Sequence, residues 1–127
     1  MTENEIAKIV VDAAYYIHTR LGPGLLESVY EVVLAHELTK RGLKVVRQLP
    51  VPLEFDGVKF DIGFRADMIV NDLVVVELKS IEAVTPSHKK QLLTHIRLLY
   101  KRLGLLINFG EALIKDGITR MVNGLKE

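Results

Sequence analysis

The sequence predicts an α/β sandwich in which helices cover one mixed sheet. Three observations carry this expectation. Two helical stretches open the chain, and strand-like runs fill residues 44–80. A third helix then leads into a fully apolar strand.

Residues 3–20 place Ile6, Ile9, Val10, Ala13, Ala14 and Ile17 at a helical period. Gly22 supplies a stop and Pro23 prevents continuation. A second helix is expected over 25–40, with Val29, Val33 and Leu38 as core candidates, ending at Gly42. Strand-like stretches follow at 44–48, 51–55 and 58–61, the last two flanking an Asp56-Gly57 turn. Pro50 and Pro52 suggest an edge strand or a bent entry rather than a central strand, because proline cannot donate to a central ladder. Residues 64–70 and 73–80 form the next pair, joined near Asn71-Asp72. Val74-Val75-Val76 is continuous rather than alternating, which predicts a strand covered on both faces. Thr85 is a helix cap and Pro86 the first residue of a third helix, expected to run to residue 103 and stop at Gly104. Residues 105–109 read as a buried strand, and 118–122 as either a strand or a short helix.

Composition narrows the function. A chain of 127 residues, 49% apolar and 26% charged, is expected to form a single domain over 1–127 with an ordinary core. No apolar run reaches the ~18 residues of a membrane span. The N-terminus lacks the basic start of a signal peptide, so a cytoplasmic location is expected. With no cysteine, disulfides, thiolate zinc sites and cysteine nucleophiles are excluded. The serines lie in no nucleophile elbow, and the glycines form no phosphate-binding loop. Net charge is only +1, yet two stretches are basic without an acid: Lys40, Arg41, Lys44 and Arg47, and Lys89, Lys90, Arg97, Lys101 and Arg102. Such patches can hold phosphates even when the total balances.

Asp67, Glu77 and Lys79 stand inside otherwise apolar strand-like runs. An uncompensated buried charge costs roughly 3–5 kcal/mol, so these groups need partners. Glu77 and Lys79 share one strand face and Leu78 points to the other. A two-residue loop at Asn71-Asp72 would set Asp67 opposite Val76, with Glu77 on the wrong face. A three-residue loop or a bulge instead sets Asp67 opposite Glu77, where two like charges repel unless a cation bridges them. Two carboxylates and a lysine on one face suggest a divalent metal with a base or electrostatic helper beside it. The plainer alternatives are an Asp67–Arg65 pair and neutralisation of Glu77 by Lys79. His88 and His95 share a helical stripe with Gln91 that could line a phosphate path, whereas His18 and His36 read as helix-surface groups.

Asp67 followed by Glu77-Leu78-Lys79 resembles the core of the PD-(D/E)XK nuclease superfamily, with Ala66 standing where proline gives the motif its name. Gly24-Leu25-Leu26-Glu27-Ser28-Val29-Tyr30 resembles the opening motif of the small GxxExxY proteins in that superfamily. Further similarity runs through residues 64–67, 76–80, 91–93, 105–110 and 115–118. The resemblance implies a restriction-endonuclease-like α-β-β-β-α-β core with a mixed central sheet flanked by helices. It implies a metal-dependent nuclease hydrolysing phosphodiester bonds of nucleic acid, DNA ahead of RNA. Asp67, Glu77 and the Leu78 carbonyl would then ligate Mg²⁺ or Mn²⁺, and Lys79 would orient water and counter charge on the scissile phosphate. Glu27 would reach the metal through water, and Gln91 would be a supporting polar residue. Little surface is left for reading base sequence, which suggests structure-directed or non-specific cleavage, by a homodimer or with a partner protein. The alternative is a non-catalytic module that keeps the nuclease fold and binds nucleic acid or protein.

Overall fold

In a computed structural model describing residues 1–126, the chain builds a five-stranded sheet with helices on both faces. Glu127, the last residue of the expected domain, lies outside the described residues. Helix α1 spans Glu3–Leu21 and begins with a reciprocal cap. The Thr2 hydroxyl accepts from Glu5 N–H while the Glu5 carboxylate accepts from Thr2 N–H. Gly22 ends it with a positive φ of 72°, the conformation glycine adopts without a Cβ penalty.

Helix α2 spans Glu27–Lys40. Leu38 is buried as expected and Val33 packs half-buried against the core, but Val29 is exposed, and Tyr30 and Leu34 are the other residues fully buried beneath this helix. Strand β1 (Val45–Phe55) and strand β2 (Val58–Val70) are each continuous where the sequence suggested two pieces. β1 has a single neighbour, and an edge position tolerates Pro50 and Pro52. Strand β3 (Val74–Lys79) follows antiparallel to β2.

Helix α3 is Pro86–Leu98, capped by Thr85 as expected. It stops five residues before the predicted end, and Gly104 is not its terminator. Tyr100 takes the left-handed conformation (φ 56°), with Tyr100 N–H bonded to Arg97 O and Lys101 N–H to Ile96 O. That pair of bonds is a Schellman ending built on tyrosine rather than glycine. Gly104 instead lies in strand β4 (Leu103–Asn108), which runs parallel to β3. A short 3₁₀ turn (Ile114–Gly117) leads into β5 (Ile118–Val122), so the ambiguous tail is a strand, antiparallel to β4.

Sheet order is β1-β2-β3-β4-β5, with α3 as the crossover between the two parallel strands. Met68, Val70, Val74, Val76, Leu78, Leu103, Leu105 and Ile107 pack under α1 and α2. Val75 and Leu106 meet Leu92 and Ile96 of α3 on the opposite face. The continuous valine run is therefore covered on both sides, as its composition predicts. A Cβ on Gly104 would stand 2.8 Å from Ile96 Cγ2 and 2.9 Å from Leu92 Cδ1, so the glycine lets α3 approach the sheet closely. No helix among the described residues is long and apolar enough to cross a membrane.

Candidate functional site

The β2–β3 connection decides whether the charged strand residues meet. Val70 pairs with Val74, Ile69 with Val75 and Met68 with Val76, leaving residues 71–73 as a three-residue loop. Asn71 and Asp72 adopt left-handed backbone (φ 49° and 58°), which their short polar side chains tolerate. Leu73 N–H closes the turn on Val70 O at 3.0 Å. Continued by one residue, this register sets Asp67 opposite Glu77. The two-residue hairpin that would have separated them is absent.

The ladder itself ends at Met68–Val76. The next hydrogen-bonded pair would be Ala66–Leu78, but Leu78 N–H donates to Asp67 Oδ2 at 3.0 Å instead. Lys79 O accepts from Phe109 N–H at 2.9 Å, so the Lys79 main chain faces β4 and that of Leu78 faces β2. Asp67 thus occupies a break between two strands, with the Leu78 backbone on its rim. Glu77 and Lys79, alternating with Leu78, share the α3 face with Val75.

Electrostatics at this break are unfavourable to a bare carboxylate. Burial pushes the Asp67 carboxyl up from its ordinary 3.8 to about 6. The Leu78 N–H opposes this, while the negative charges of Glu77, Glu27 and Glu31 add to the rise. Glu27 is the first residue of α2, at a helix start whose preceding residue, Leu26, offers no side-chain cap. Glu31 is one turn further on and buried, accepting from Arg47 Nη2 at 2.9 Å and Gln48 Nε2 at 2.6 Å.

The loop carrying Glu27 is pinned from both sides. The Tyr30 hydroxyl donates to Gly22 O at 2.5 Å and accepts from Leu25 N–H at 3.2 Å. Its ring is fully buried and stacks on Phe109 at 4.5 Å. Ser80, at the end of β3, donates to Leu25 O at 2.6 Å, which ties the loop to the strand bearing Glu77.

Glu77 has a partner, and it is not Lys79. Glu77 Oε1 lies 2.5 Å from His95 Nδ1, and the His95 ring is stacked on Phe64 with centroids 4.0 Å apart and planes 6° from parallel. Lys79 is half-buried and forms no ion pair among the described residues, nor do Asp67 and Arg65. Gln91 is exposed on α3 one turn before His95, and its side chain makes no hydrogen bond among the described residues. His88 serves the helix start, its Nδ1 accepting from Thr85 N–H at 3.0 Å. His18, expected on the surface, is buried, its Nε2 2.9 Å from Glu111 O. Glu31 belongs to no motif in the sequence, although its position four residues after Glu27 puts both on one helix face.

The donor types here, two carboxylates and a main-chain carbonyl, are the hard oxygen ligands that suit Mg²⁺ or Mn²⁺. Among the described residues no three His, Cys, Asp or Glu side chains form a ready metal cage. A site of this kind therefore relies on backbone and water ligands. The basic stretches are smaller than their counts suggest. Arg102 pairs with Glu3, Lys101 with Asp72, Arg47 with Glu31, and Lys40 and Arg41 with Glu37. Lys44, Lys89, Lys90 and Arg97 form no ion pair among the described residues.

The acidic break between β2 and β3 and the Glu-x-Lys that follows it lie within a stretch that matches a known family model. The chain belongs to the PD-(D/E)XK nuclease superfamily, whose family model matches residues 4–121. Its mixed α/β sheet is consistent with the restriction-endonuclease-like core. No curated protein and no solved structure matches the chain. Nucleases of this superfamily generally use divalent metal ions.

Proposed function

We propose that this protein is a metal-dependent nuclease that hydrolyses phosphodiester bonds in nucleic acid, with DNA as the first substrate to test. The observation that carries the reading is Asp67: a carboxylate in a ladder break, opposite Glu77, with its pKa raised to about 6 by burial and by neighbouring carboxylates. A divalent cation would relieve that repulsion. Asp67, Glu77 and the Leu78 carbonyl would hold Mg²⁺ or Mn²⁺, and the bound ion would supply Lewis acidity and an acidified water. Lys79, on the same face and without a competing acid, would orient the attacking water and counter the charge growing on the phosphate oxygens. Glu27 would hold a water at the edge of the site, positioned by the Tyr30 and Ser80 hydrogen bonds. Gln91, exposed on α3, would meet the substrate rather than the metal. The Gly24, Glu27 and Tyr30 spacing supports placing the chain among the GxxExxY proteins of the superfamily.

The test is incubation of purified protein with single-stranded, duplex and branched DNA and RNA, with Mg²⁺ or Mn²⁺, beside Asp67→Ala and Lys79→Ala. Wild-type cleavage should require the metal and fall by about 10²-fold or more in both variants. Cleavage that survives both substitutions would place the activity elsewhere. Binding without cleavage under every condition would favour a non-catalytic module.

A further inference from the structure

We propose that His95 is a positioning residue for Glu77, held in place by Phe64, and that this Phe64–His95–Glu77 chain sets the affinity of the site for its divalent cation. The inference rests on the metal role proposed above for Glu77.

Three separate elements build the chain. Phe64 comes from β2, Glu77 from β3 and His95 from α3. Glu77 Oε1 and His95 Nδ1 are 2.5 Å apart. A carboxylate only accepts hydrogen bonds, so Nδ1 carries the hydrogen and donates it. The imidazole cannot swing away easily, because one face lies flat on the Phe64 ring at 4.0 Å. Its helix is also fixed, since Leu92 and Ile96 on either side of His95 are fully buried against Gly104 and the sheet.

A carboxylate with one oxygen tied in this way presents the other to the cation in a single orientation. Without the tie, Glu77 must be ordered when the ion binds, which costs side-chain entropy. Metal ligands are commonly oriented by such outer hydrogen bonds. Here the usual roles are exchanged, with a carboxylate as ligand and a histidine as its support. Lys79 shares the strand face with Glu77 but forms no ion pair among the described residues, so it does not do this job.

The experiment is direct Mn²⁺ titration, by calorimetry and by the loss of free Mn²⁺ signal in electron paramagnetic resonance. It compares wild type with Asp67→Ala, His95→Ala, His95→Asn and Phe64→Leu, with circular dichroism as the check on folding. His95→Ala should weaken Mn²⁺ binding about 10–100-fold. His95→Asn, whose amide nitrogen can replace Nδ1 as donor, should recover most of that loss, which loss of packing alone would not allow. Phe64→Leu should fall between His95→Ala and wild type while keeping its fold. If wild type binds Mn²⁺, Asp67→Ala abolishes binding and His95→Ala stays within about twofold of wild type, the positioning role is refuted and the metal site stands. Should His95→Ala fail to fold, unchanged Mn²⁺ affinity in Phe64→Leu would refute the chain instead. If wild type binds no Mn²⁺, or Asp67→Ala binds as well as wild type, the metal reading fails and takes this proposal with it.

Discussion

Replacing Asp67 with asparagine should stabilise the metal-free protein at neutral and alkaline pH. Burial and the nearby Glu77, Glu27 and Glu31 raise the folded-state pKa to about 6 from an ordinary 3.8. Between roughly pH 4 and 6 the native state keeps a proton that the unfolded chain releases, so stability falls as pH rises through this window. Below it both states are protonated and Asp67 carries no penalty; above it the penalty is complete. The full pKa difference corresponds to at most about 3 kcal/mol, and partial exposure of the carboxylate to water reduces this to about 1–2 kcal/mol. Asparagine removes the charge yet keeps an oxygen to accept the Leu78 N–H, so the backbone contact survives. Urea unfolding in a chelator, at steps from about pH 4 to 8, should show the Asp67→Asn advantage appear and reach about 1–2 kcal/mol. Saturating Mg²⁺ or Mn²⁺ should then raise the stability of wild type and shrink the gap. A variant no more stable than wild type at every pH would show that Asp67 is not destabilised where it stands.

The remaining predictions concern the frame around the site. Asn108 is fully buried; it accepts from Ile81 N–H and Gly110 N–H and donates to Ile81 O. Asn108→Ala should therefore cost about 2–4 kcal/mol in urea unfolding, because it strands buried backbone groups. A loss below about 1 kcal/mol would mean the chain after β3 is held by something else. Gly104→Ala drives a methyl against Ile96 and Leu92 and should cost about 1–3 kcal/mol. In that variant the NMR shifts of α3 should change more than those of α1. Tyr30→Phe removes the hydroxyl shared by Gly22 and Leu25, at about 1–2 kcal/mol, and should speed hydrogen exchange across residues 22–27. Unchanged exchange there would show that the hydroxyl does not pin the Glu27 loop.

Much of the fold was legible because its signals are local. The period over residues 3–20, the Gly22 stop, the Thr85 cap and the double-sided valine run each follow from neighbours in sequence. The edge position of β1 was equally readable from Pro50 and Pro52. The end of α3 was not, because Tyr100 takes a backbone conformation for which glycine is the usual sign. The exposure of Val29 on α2 also escaped, since Val29 is as apolar as the buried Leu34 and only the packed sheet separates them.

The candidate site divides along the same line. That Asp67 and Glu77 meet depended on one loop residue, a condition stated from spacing and present in the structure. Which residue of the α3 stripe reaches Glu77 could not be told, because Gln91 and His95 lie on the same side of the helix. Its rotation is fixed by Leu92 and Ile96 settling against Gly104, a contact between distant parts of the chain. Glu31 was hidden for a similar reason: its partners Arg47 and Gln48 come from another element.

The most direct test of the central claim is to locate a cation on the protein. Substoichiometric Mn²⁺ added to ¹⁵N-labelled protein broadens the amide signals nearest the bound ion. Broadening should begin at Asp67, Glu77, Leu78 and Lys79, extend to Glu27, and be lost in Asp67→Ala. Broadening centred elsewhere, or unchanged in that variant, would contradict that claim.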